Sequence, residues 1–323
     1  MKYSFTLAAL AAASAAIASP VIKRAAAITN ADILNYALTL EYLEDKFYRE
    51  GLANYTQADF VAAGFADPFY DNLMKISSDE TTHVKFLTSA LSAVGTTPVA
   101  ECTYSFPATD PKSFVMLASV LEGVGVSAYL GAAASICTYL PDQRNHLHIL
   151  TMLFHSHQRV PHSRRIHPYC RGRHSSYLRA TQALCPFPQP FDDPLDFNEV
   201  YTLAAPFIVS CPTSNPALPV KAFPALTLGT TGTIKAGSTI TLLTDGYKLV
   251  AADGKTPVYA AFITATGPIY VDATAVSGGF SLAVPEGVNG QSYVVLTGCK
   301  DAVSDDTVAA GPAIVEITNQ MFG

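Results

Sequence analysis

Glu80 and His83 form a pair whose residue types and spacing point to metal binding. Residues three apart on an α-helix lie on one face, so this carboxylate and this imidazole can bind one metal ion together. The same spacing also occurs on the solvent-exposed side of ordinary amphipathic helices. The metal interpretation therefore depends on whether other helices supply matching ligands.

Glu41, Glu44 and Glu122 are further carboxylates that the sequence places on buried helix faces. Glu41 and Glu44 fall on an apolar stripe with helical spacing, and Glu122 is the only charged residue of 113–136. A helix that is apolar all round is buried all round, so Glu122 cannot readily reach water. Such a carboxylate is either protonated and satisfied by a neighbour, or paired with a bound cation.

The elements that must position these residues follow from hydrophobic periodicity. The sequence predicts a first helix that is capped by Asn30, and then a loop from Gly51 to Asp67. Further helices are predicted over residues 68–94, 111–136, from 173 onward, and 197–205. Carboxylates and imidazoles from several helices would then meet inside one bundle.

Residues 137–172 break this helical pattern. They combine several arginines and helix-breaking prolines with no amphipathic period, and they hold most of the histidines. These histidines are His146, His148, His155, His157, His162 and His167. One interpretation is a histidine-rich metal-binding tract.

The second interpretation of residues 137–172 is translated intron or frame-shifted sequence. When residues 163–172 are read one nucleotide out of frame, codon degeneracy allows several translations. One of them, Ala-Ala-Gly-Ser-Ile-Leu-Thr-Val-Glu-Ala, is an amphipathic helix that continues into Arg173 and His174. The sequence of the spliced transcript distinguishes the two interpretations.

After Lys221 the pattern changes from helical to alternating. Short apolar runs separated by Asp-Gly, Asn-Gly and Gly turns predict six or seven strands, which is typical of a β-sandwich of immunoglobulin-like size. This region contains no histidine and no catalytic cluster. We interpret it as a packing or adhesion module.

The N-terminus has the features of a secretory signal peptide. A lysine precedes a short apolar run, and small residues at Ala16 and Ala18 predict cleavage near residue 18. Lys23-Arg24 fits either a processing site that removes a short propeptide or a solvated basic pair. We therefore expect a secreted or cell-surface protein.

Secretion makes the cysteines candidates for disulfides. There are six cysteines and no Cys-x-x-Cys motif, and we predict a bridge between Cys102 and Cys211, which flank the helical region. Asn54-Tyr55-Thr56 is an N-glycosylation sequon.

Composition limits the partners. Hydrophobic residues make up 49% of the chain, which excludes a disordered protein, and the formal net charge of −6 gives no basis for nucleic-acid binding. We also predict no transmembrane span, because the apolar helix near residues 115–136 carries Glu122 and several glycines.

Four stretches resemble the secreted ferritin-like proteins of fungi, which are related to plant desiccation-related and fungal nutrient-stress-responsive proteins. They are Thr-Leu-Glu-Tyr-Leu-Glu-Asp-Lys-Phe-Tyr at 39–48, Asp-Glu-Thr-Thr-His at 79–83, Leu-Glu-Gly at 121–123 and Arg-His-Ser-Ser-Tyr-Leu-Arg at 173–179. The resemblance covers about residues 30–225, and the β-rich tail is also similar to the fungal members. It implies an α+β multidomain protein, with a ferritin-like four-helix bundle followed by the immunoglobulin-like β-sandwich.

The resemblance also implies a dimetal carboxylate site for iron or manganese, in which two ions react with oxygen or peroxide and a tyrosine such as Tyr48 is redox-active. Such bundles take one Glu from each of two helices and Glu-x-x-His from each of the other two. The implied metal ligands are Glu41, Glu80, His83, Glu122 and His174, with Glu44 as a further candidate.

The fourth helix departs from the family pattern. The family has Glu-Ala-Arg-His where this chain has Arg171-Gly172-Arg173-His174, and a guanidinium cannot bind a metal cation. We therefore expect an impaired metal site and no enzymatic activity in the chain as written. The alternative is a non-enzymatic cell-surface or matrix protein that uses the bundle as a scaffold and contacts the cell wall through its C-terminal domain.

The predicted organisation has five parts. They are a signal peptide (1–18), a candidate propeptide (19–28), a ferritin-like bundle (29–211) that includes the anomalous segment 137–172, a linker (212–225) and a β-sandwich domain (226–323).

Overall fold

The computed structural model describes residues 28–138, 168–244 and 258–319. The predicted signal peptide and most of the anomalous segment therefore lie outside the described residues. The helices are α1 (Asn30–Asn54), α2 (Gln57–Ala62), α3 (Phe69–Ala93), α4 (Pro111–Thr138), α5 (Pro168–Thr181) and α6 (Phe197–Ala204), and a 3₁₀ turn (Ala205–Phe207) follows α6.

Helix α1 begins one residue earlier than a cap at Asn30 would require. Thr29 is the N-cap: its side chain accepts a hydrogen bond from the backbone N–H of Asp32, and the Asp32 carboxylate accepts from the backbone N–H of Thr29 at 2.8 Å. This reciprocal pair satisfies two backbone donors of the first turn, so threonine displaces the neighbouring asparagine as the cap.

The predicted loop from Gly51 to Asp67 is partly helical. Helix α1 continues to Asn54, and a second capping box between Thr56 and Asp59 starts the short helix α2. The prediction missed α2 because its six residues are too few to show a clear period. Helix α5 also begins earlier than predicted, at Pro168, inside the anomalous segment.

The four long helices pack in two pairs, α1 with α3 and α4 with α5. An aromatic cluster fills one end of the bundle, where the rings of Phe47 and Phe114 are stacked with centroids 4.5 Å apart. Helix α4 is not buried all round as predicted, since Met116 and Leu130 are exposed. Helix α4 is long and apolar enough to cross a membrane. However, 67% of its most apolar 18-residue stretch is buried inside the protein.

A disulfide joins Cys102 and Cys211, which confirms the predicted pair. Beside it the two-residue strand β1 (Thr103–Tyr104) pairs with β2 (Ile208–Ser210). The connection between α3 and α4 is therefore fixed to the end of the helical region.

The C-terminal domain is an antiparallel sheet with strand order β3-β4-β7-β6-β5-β8-β9. The strands are β3 (Thr227–Leu228), β4 (Thr239–Leu243), β5 (Val258–Ile263), β6 (Ile269–Val276), β7 (Gly279–Ala283), β8 (Gly290–Thr297) and β9 (Val308–Ile317). The sequence predicted six or seven strands in this region, and the described residues form seven.

Strand β6 makes the sheet continuous. Its first part pairs with β5, and residues Thr274 to Val276 pair with β7. Both halves cover one apolar core, and Ile234 forms a bridge with Ile317 of β9, which brings the two edges of the sheet close together. The domain is thus β-rich, antiparallel and nearly closed, and this topology does not confirm the immunoglobulin-like assignment.

The sheet packs directly against the helical bundle. The hydroxyl of Ser127 on α4 donates to the Tyr293 hydroxyl at 3.1 Å, and Gln291 donates to the Val120 carbonyl at 3.2 Å. Arg179 of α5 forms a two-bond ion pair with Glu316 of β9, at 2.9 and 2.7 Å. The sequence had suggested two units joined by a linker and did not predict this interface.

Candidate metal centre

The five residues that the sequence predicted as metal ligands meet in the middle of the bundle. Each of the four long helices contributes: Glu41 from α1, Glu80 and His83 from α3, Glu122 from α4 and His174 from α5. The three carboxylates have no exposed surface, and the imidazoles are 3% and 6% exposed. These charged and polar groups need partners inside the protein, because water does not reach them.

The first group comprises Glu41, Glu80 and His83. His83 Nδ1 lies 2.9 Å from Glu80 Oε2 and 3.3 Å from Glu41 Oε2. Each residue offers one ligand atom, and the three atoms lie within 4.8 Å of one another, which is compatible with one shared cation. We call this group the first triad.

The second triad comprises Glu80, Glu122 and His174. His174 Nδ1 lies 3.2 Å from Glu80 Oε1 and 3.3 Å from Glu122 Oε1. Glu80 therefore belongs to both triads and presents a different oxygen to each histidine. Glu80 could therefore supply one oxygen to a cation at each triad.

Arg171 enters this centre from α5, one turn before His174. Its Nη2 lies 2.7 Å from Glu41 Oε2 and 3.3 Å from Glu80 Oε2, and its Nη1 forms an ion pair with Glu44. The side chain is 1% exposed. Arg171 thus lies on α5 beside His174, as the sequence indicated. Its partners Glu41, Glu44 and Glu80 are all candidate metal ligands.

Comparisons with known proteins agree with this geometry. Residues 29–140 match the family model described as "Ferritin-like domain". The N-terminal helical region is ferritin-like. The chain is also similar to Protein rds1 of Schizosaccharomyces pombe (strain 972 / ATCC 24843), with 29% identity over 198 residues. That alignment covers 60% of this chain and 43% of the relative, so the chain spans less than half the length of the relative.

Electrostatics in the ferritin-like domain show how the buried charges are balanced. Burial lowers the pKa of the Arg171 guanidinium, but Glu41, Glu44 and Glu80 raise it well above its ordinary value. Burial raises the pKa of Glu80, but Arg171 and hydrogen bonds with His174 and His83 hold it below its ordinary value. Arg171 therefore keeps its charge and supplies a positive partner in the interior.

Glu44 and Gly125 form the pocket for the guanidinium. Burial raises the pKa of Glu44 well above its ordinary value, and Arg171 opposes this shift only in part. A Cβ atom at Gly125 of α4 would collide with Nη1 of Arg171 and would lie 3.0 Å from Glu44 Oε1. The absence of a side chain at Gly125 therefore makes room for the arginine.

Two tyrosine hydroxyls donate hydrogen bonds to carboxylates of the candidate metal centre. The Tyr48 hydroxyl donates to Glu122 Oε1 at 2.8 Å, and the Tyr129 hydroxyl donates to Glu41 Oε1. Arg171 also lies over the Tyr129 ring, 5.2 Å from its centroid. Sequence reasoning named Tyr48 and missed Tyr129, although Tyr129 lies two turns after Glu122 on the same helix.

Asp79 is a second residue that sequence reasoning missed. His174 Nε2 lies 3.5 Å from Asp79 Oδ2, while Nδ1 faces the second triad. A carboxylate on the outer nitrogen of a histidine commonly fixes the ring and its tautomer for metal binding. The signal was available, because Asp79 directly precedes Glu80.

The donors of this centre fit iron or manganese in part. Carboxylate oxygen and imidazole nitrogen suit these ions, and Oε2 of Glu122 is buried without a hydrogen-bond partner within the described part of the chain. Arg171 does not fit, since it brings a fixed positive charge into contact with two oxygens of the first triad. The second triad therefore fits a cation better than the first.

A cavity of about 110 Å³ adjoins the centre on the side of Arg171 and Glu44. Most of its lining is apolar and comes from α1, α4 and α6, and Ile314 of β9 also contributes. The β domain thus helps to enclose the space next to the candidate site.

Proposed function

We propose that this protein is a secreted, stress-associated ferritin-like protein whose bundle holds iron or manganese at an incomplete dimetal carboxylate centre. The observation that supports the proposal most strongly is the pair of buried triads that share Glu80. The stress association is taken from the resemblance of the four sequence stretches to fungal stress-responsive proteins. No reaction is assigned.

The residues of the two triads would hold the metal, and the remaining groups would position them. A bound iron or manganese ion supplies redox chemistry. Glu80 would contact both cation positions, Asp79 would orient His174, and Tyr48 would hold one oxygen of Glu122. Helix packing excludes water from the triads and from Tyr48, whereas the Asp79 side chain is 27% exposed.

Metal binding by the full chain tests this proposal. We expect Mn²⁺ to be retained after gel filtration, and Glu80→Ala to abolish retention because Glu80 belongs to both triads. Glu50→Ala is the matched control, since Glu50 forms a partly exposed ion pair with Lys46 at 3.2 Å outside the centre. Retention that is equal in both variants, or absent from the parent chain, would contradict the proposal.

Secretion has its own test. We expect the mature protein in the culture medium to begin after residue 18, or after Arg24 if the dibasic pair is processed. A glycan at Asn54 would be removed by an endoglycosidase, and Asn54 is exposed at the end of α1. An N-terminal sequence that starts at Met1 in the mature protein would contradict the signal peptide.

The second candidate function is a non-enzymatic contact role at the cell wall or matrix. Phe187 and Phe191 favour it, because they are 73% and 66% exposed in the proline-rich segment that lies beside the β domain. Retention on isolated cell-wall material is the measurement. We expect the parent chain to be retained and loss of the C-terminal domain to abolish retention, and no retention of the parent chain would contradict this function.

A further inference from the structure

The two triads differ in the groups that already occupy them. In the first triad, the Arg171 Nη2 atom contacts Glu41 Oε2 and Glu80 Oε2, the same two oxygens that face His83. A metal ion bound to these oxygens would lie against the guanidinium nitrogen. Two cations in contact inside a buried space repel each other strongly.

The second triad is open to a cation. The ion pairs of Arg171 reach Glu41, Glu44 and Glu80, and none of them involves Glu122. Oε1 of Glu122 faces His174 and also accepts from Tyr48, while Oε2 is buried and has no hydrogen-bond partner among the described residues. A fully buried carboxylate oxygen in this state is costly unless a ligand satisfies it.

His174 is oriented to complete the second triad. Its Nε2 atom faces Asp79, which directs Nδ1 towards Glu80 and Glu122 at 3.2 and 3.3 Å. A cation held by the two carboxylates would displace the proton from Nδ1, and Nε2 would then carry the proton beside Asp79.

One divalent cation is the largest number that the centre can hold without acquiring a net positive formal charge. Glu41, Glu44, Glu80 and Glu122 carry four negative charges when ionised, and Arg171 carries one positive charge, so the centre has a net charge of −3. One divalent cation brings this to −1, and a second would bring it to +1. With Arg171→Glu the centre would start at −5, and two divalent cations would return it to −1.

We propose that this chain binds a single divalent cation in the second triad (Glu80, Glu122 and His174) and that the guanidinium of Arg171 permanently replaces the other cation. This inference rests on the proposed metal-binding function and specifies its stoichiometry and position. It also implies that the arginine converts a two-ion centre into a one-ion centre and does not abolish metal binding.

Titration of the full chain with Mn²⁺, with elemental analysis and electron paramagnetic resonance, tests the inference. We expect one equivalent in the parent chain, with the spectrum of an isolated ion. We expect two equivalents in Arg171→Glu, with exchange broadening from a second nearby ion. His174→Ala should weaken binding about 100-fold or more, because it removes a ligand and not only an outer partner. His83→Ala should weaken binding much less.

The outcomes separate the two proposals, provided that circular dichroism shows each variant to be folded. Two equivalents in the parent chain, or a larger loss with His83→Ala than with His174→Ala, would overturn the one-ion inference. Either of these results would leave the proposed metal-binding function in place. No binding by the parent chain would overturn both proposals.

Discussion

The fully buried side chains of the helical bundle include the carboxylates Glu41, Glu80 and Glu122. Those of the β domain include the apolar side chains Phe262 and Leu296. Both interiors exclude water equally well. The core cluster of the β domain is apolar, and the burial of apolar groups is non-directional. The bundle encloses charges whose cost is offset only by specific partners, so its interior is organised for binding more than for stability.

The largest expected effect comes from removing the internal cation. Arg171→Met leaves three buried carboxylates without their guanidinium partner, and we expect a loss of about 3–5 kcal/mol in the free energy of unfolding in the presence of EDTA. Helical circular dichroism during urea unfolding measures this loss, and added Mn²⁺ should recover part of it. Arg49→Met is the control, because its partly exposed pairs with Asp45 and Glu101 should contribute at most about 1 kcal/mol. Equal losses in the two variants would contradict the comparison.

The β domain should respond to packing and not to metal. Phe262→Ala removes a fully buried ring from its core, and we expect a loss of about 3–5 kcal/mol. Urea unfolding with EDTA and with Mn²⁺ should give the same loss. Val276→Ala, at a side chain that is 42% exposed, should change stability by less than about 0.5 kcal/mol. A metal-dependent loss for Phe262→Ala would show that the two interiors are coupled.

A smaller effect should appear in the pH dependence of stability at Glu199 of α6. Burial, with Asp196 and Asp305 nearby, raises the pKa of this carboxyl from 4.5 to about 8. Between these two pH values the unfolded chain releases the proton while the folded chain retains it, so stability falls as the pH rises. Glu199→Gln removes this penalty and keeps an oxygen to accept from the backbone N–H of Asp196. We expect the variant to gain about 1–3 kcal/mol over the parent between pH 5 and pH 8, in urea unfolding at both values. An identical pH slope in both chains would contradict the assignment.

The smallest expected effect concerns the interface between the two regions. Tyr293→Phe removes the hydroxyl that accepts from Ser127 at 3.1 Å and from Gln291 at 2.9 Å, and we expect a loss of about 1 kcal/mol. Tyr259→Phe is the control, since this half-buried tyrosine lies on the neighbouring strand β5. Thermal unfolding of both variants measures the difference. No loss for Tyr293→Phe would indicate that these bonds do not stabilise the interface.

Much of the helical region could be predicted from the sequence. Helix α4 and the inward position of Glu122 follow from a single charge in a long apolar run, and Glu80 and His83 follow from their three-residue spacing. The sequence also identified Arg171 as an anomaly three residues before His174. It could not show that the guanidinium reaches Glu41, Glu44 and Glu80, because a long side chain can adopt many rotamers and its partners lie on other helices.

The same limit applies to contacts between distant parts of the chain. Alternation predicted β4 and β5, but it carries no information about the order of strands or about the continuity of the sheet through β6. The packing of Tyr293 and Gln291 on α4 depends on surfaces that are remote in sequence. Periodicity shows which face of an element is buried, and it does not show which partner covers that face.

The disulfide between Cys102 and Cys211 has a topological consequence. It closes a covalent ring that spans 109 positions of the sequence and contains α4, α5 and the anomalous segment. A single proteolytic cut anywhere in this ring would leave the two fragments joined. The cut protein would run as one band on a non-reducing gel and as two bands after reduction, and Arg171 and Glu122 would remain tethered to the helices that carry Glu41 and Glu80.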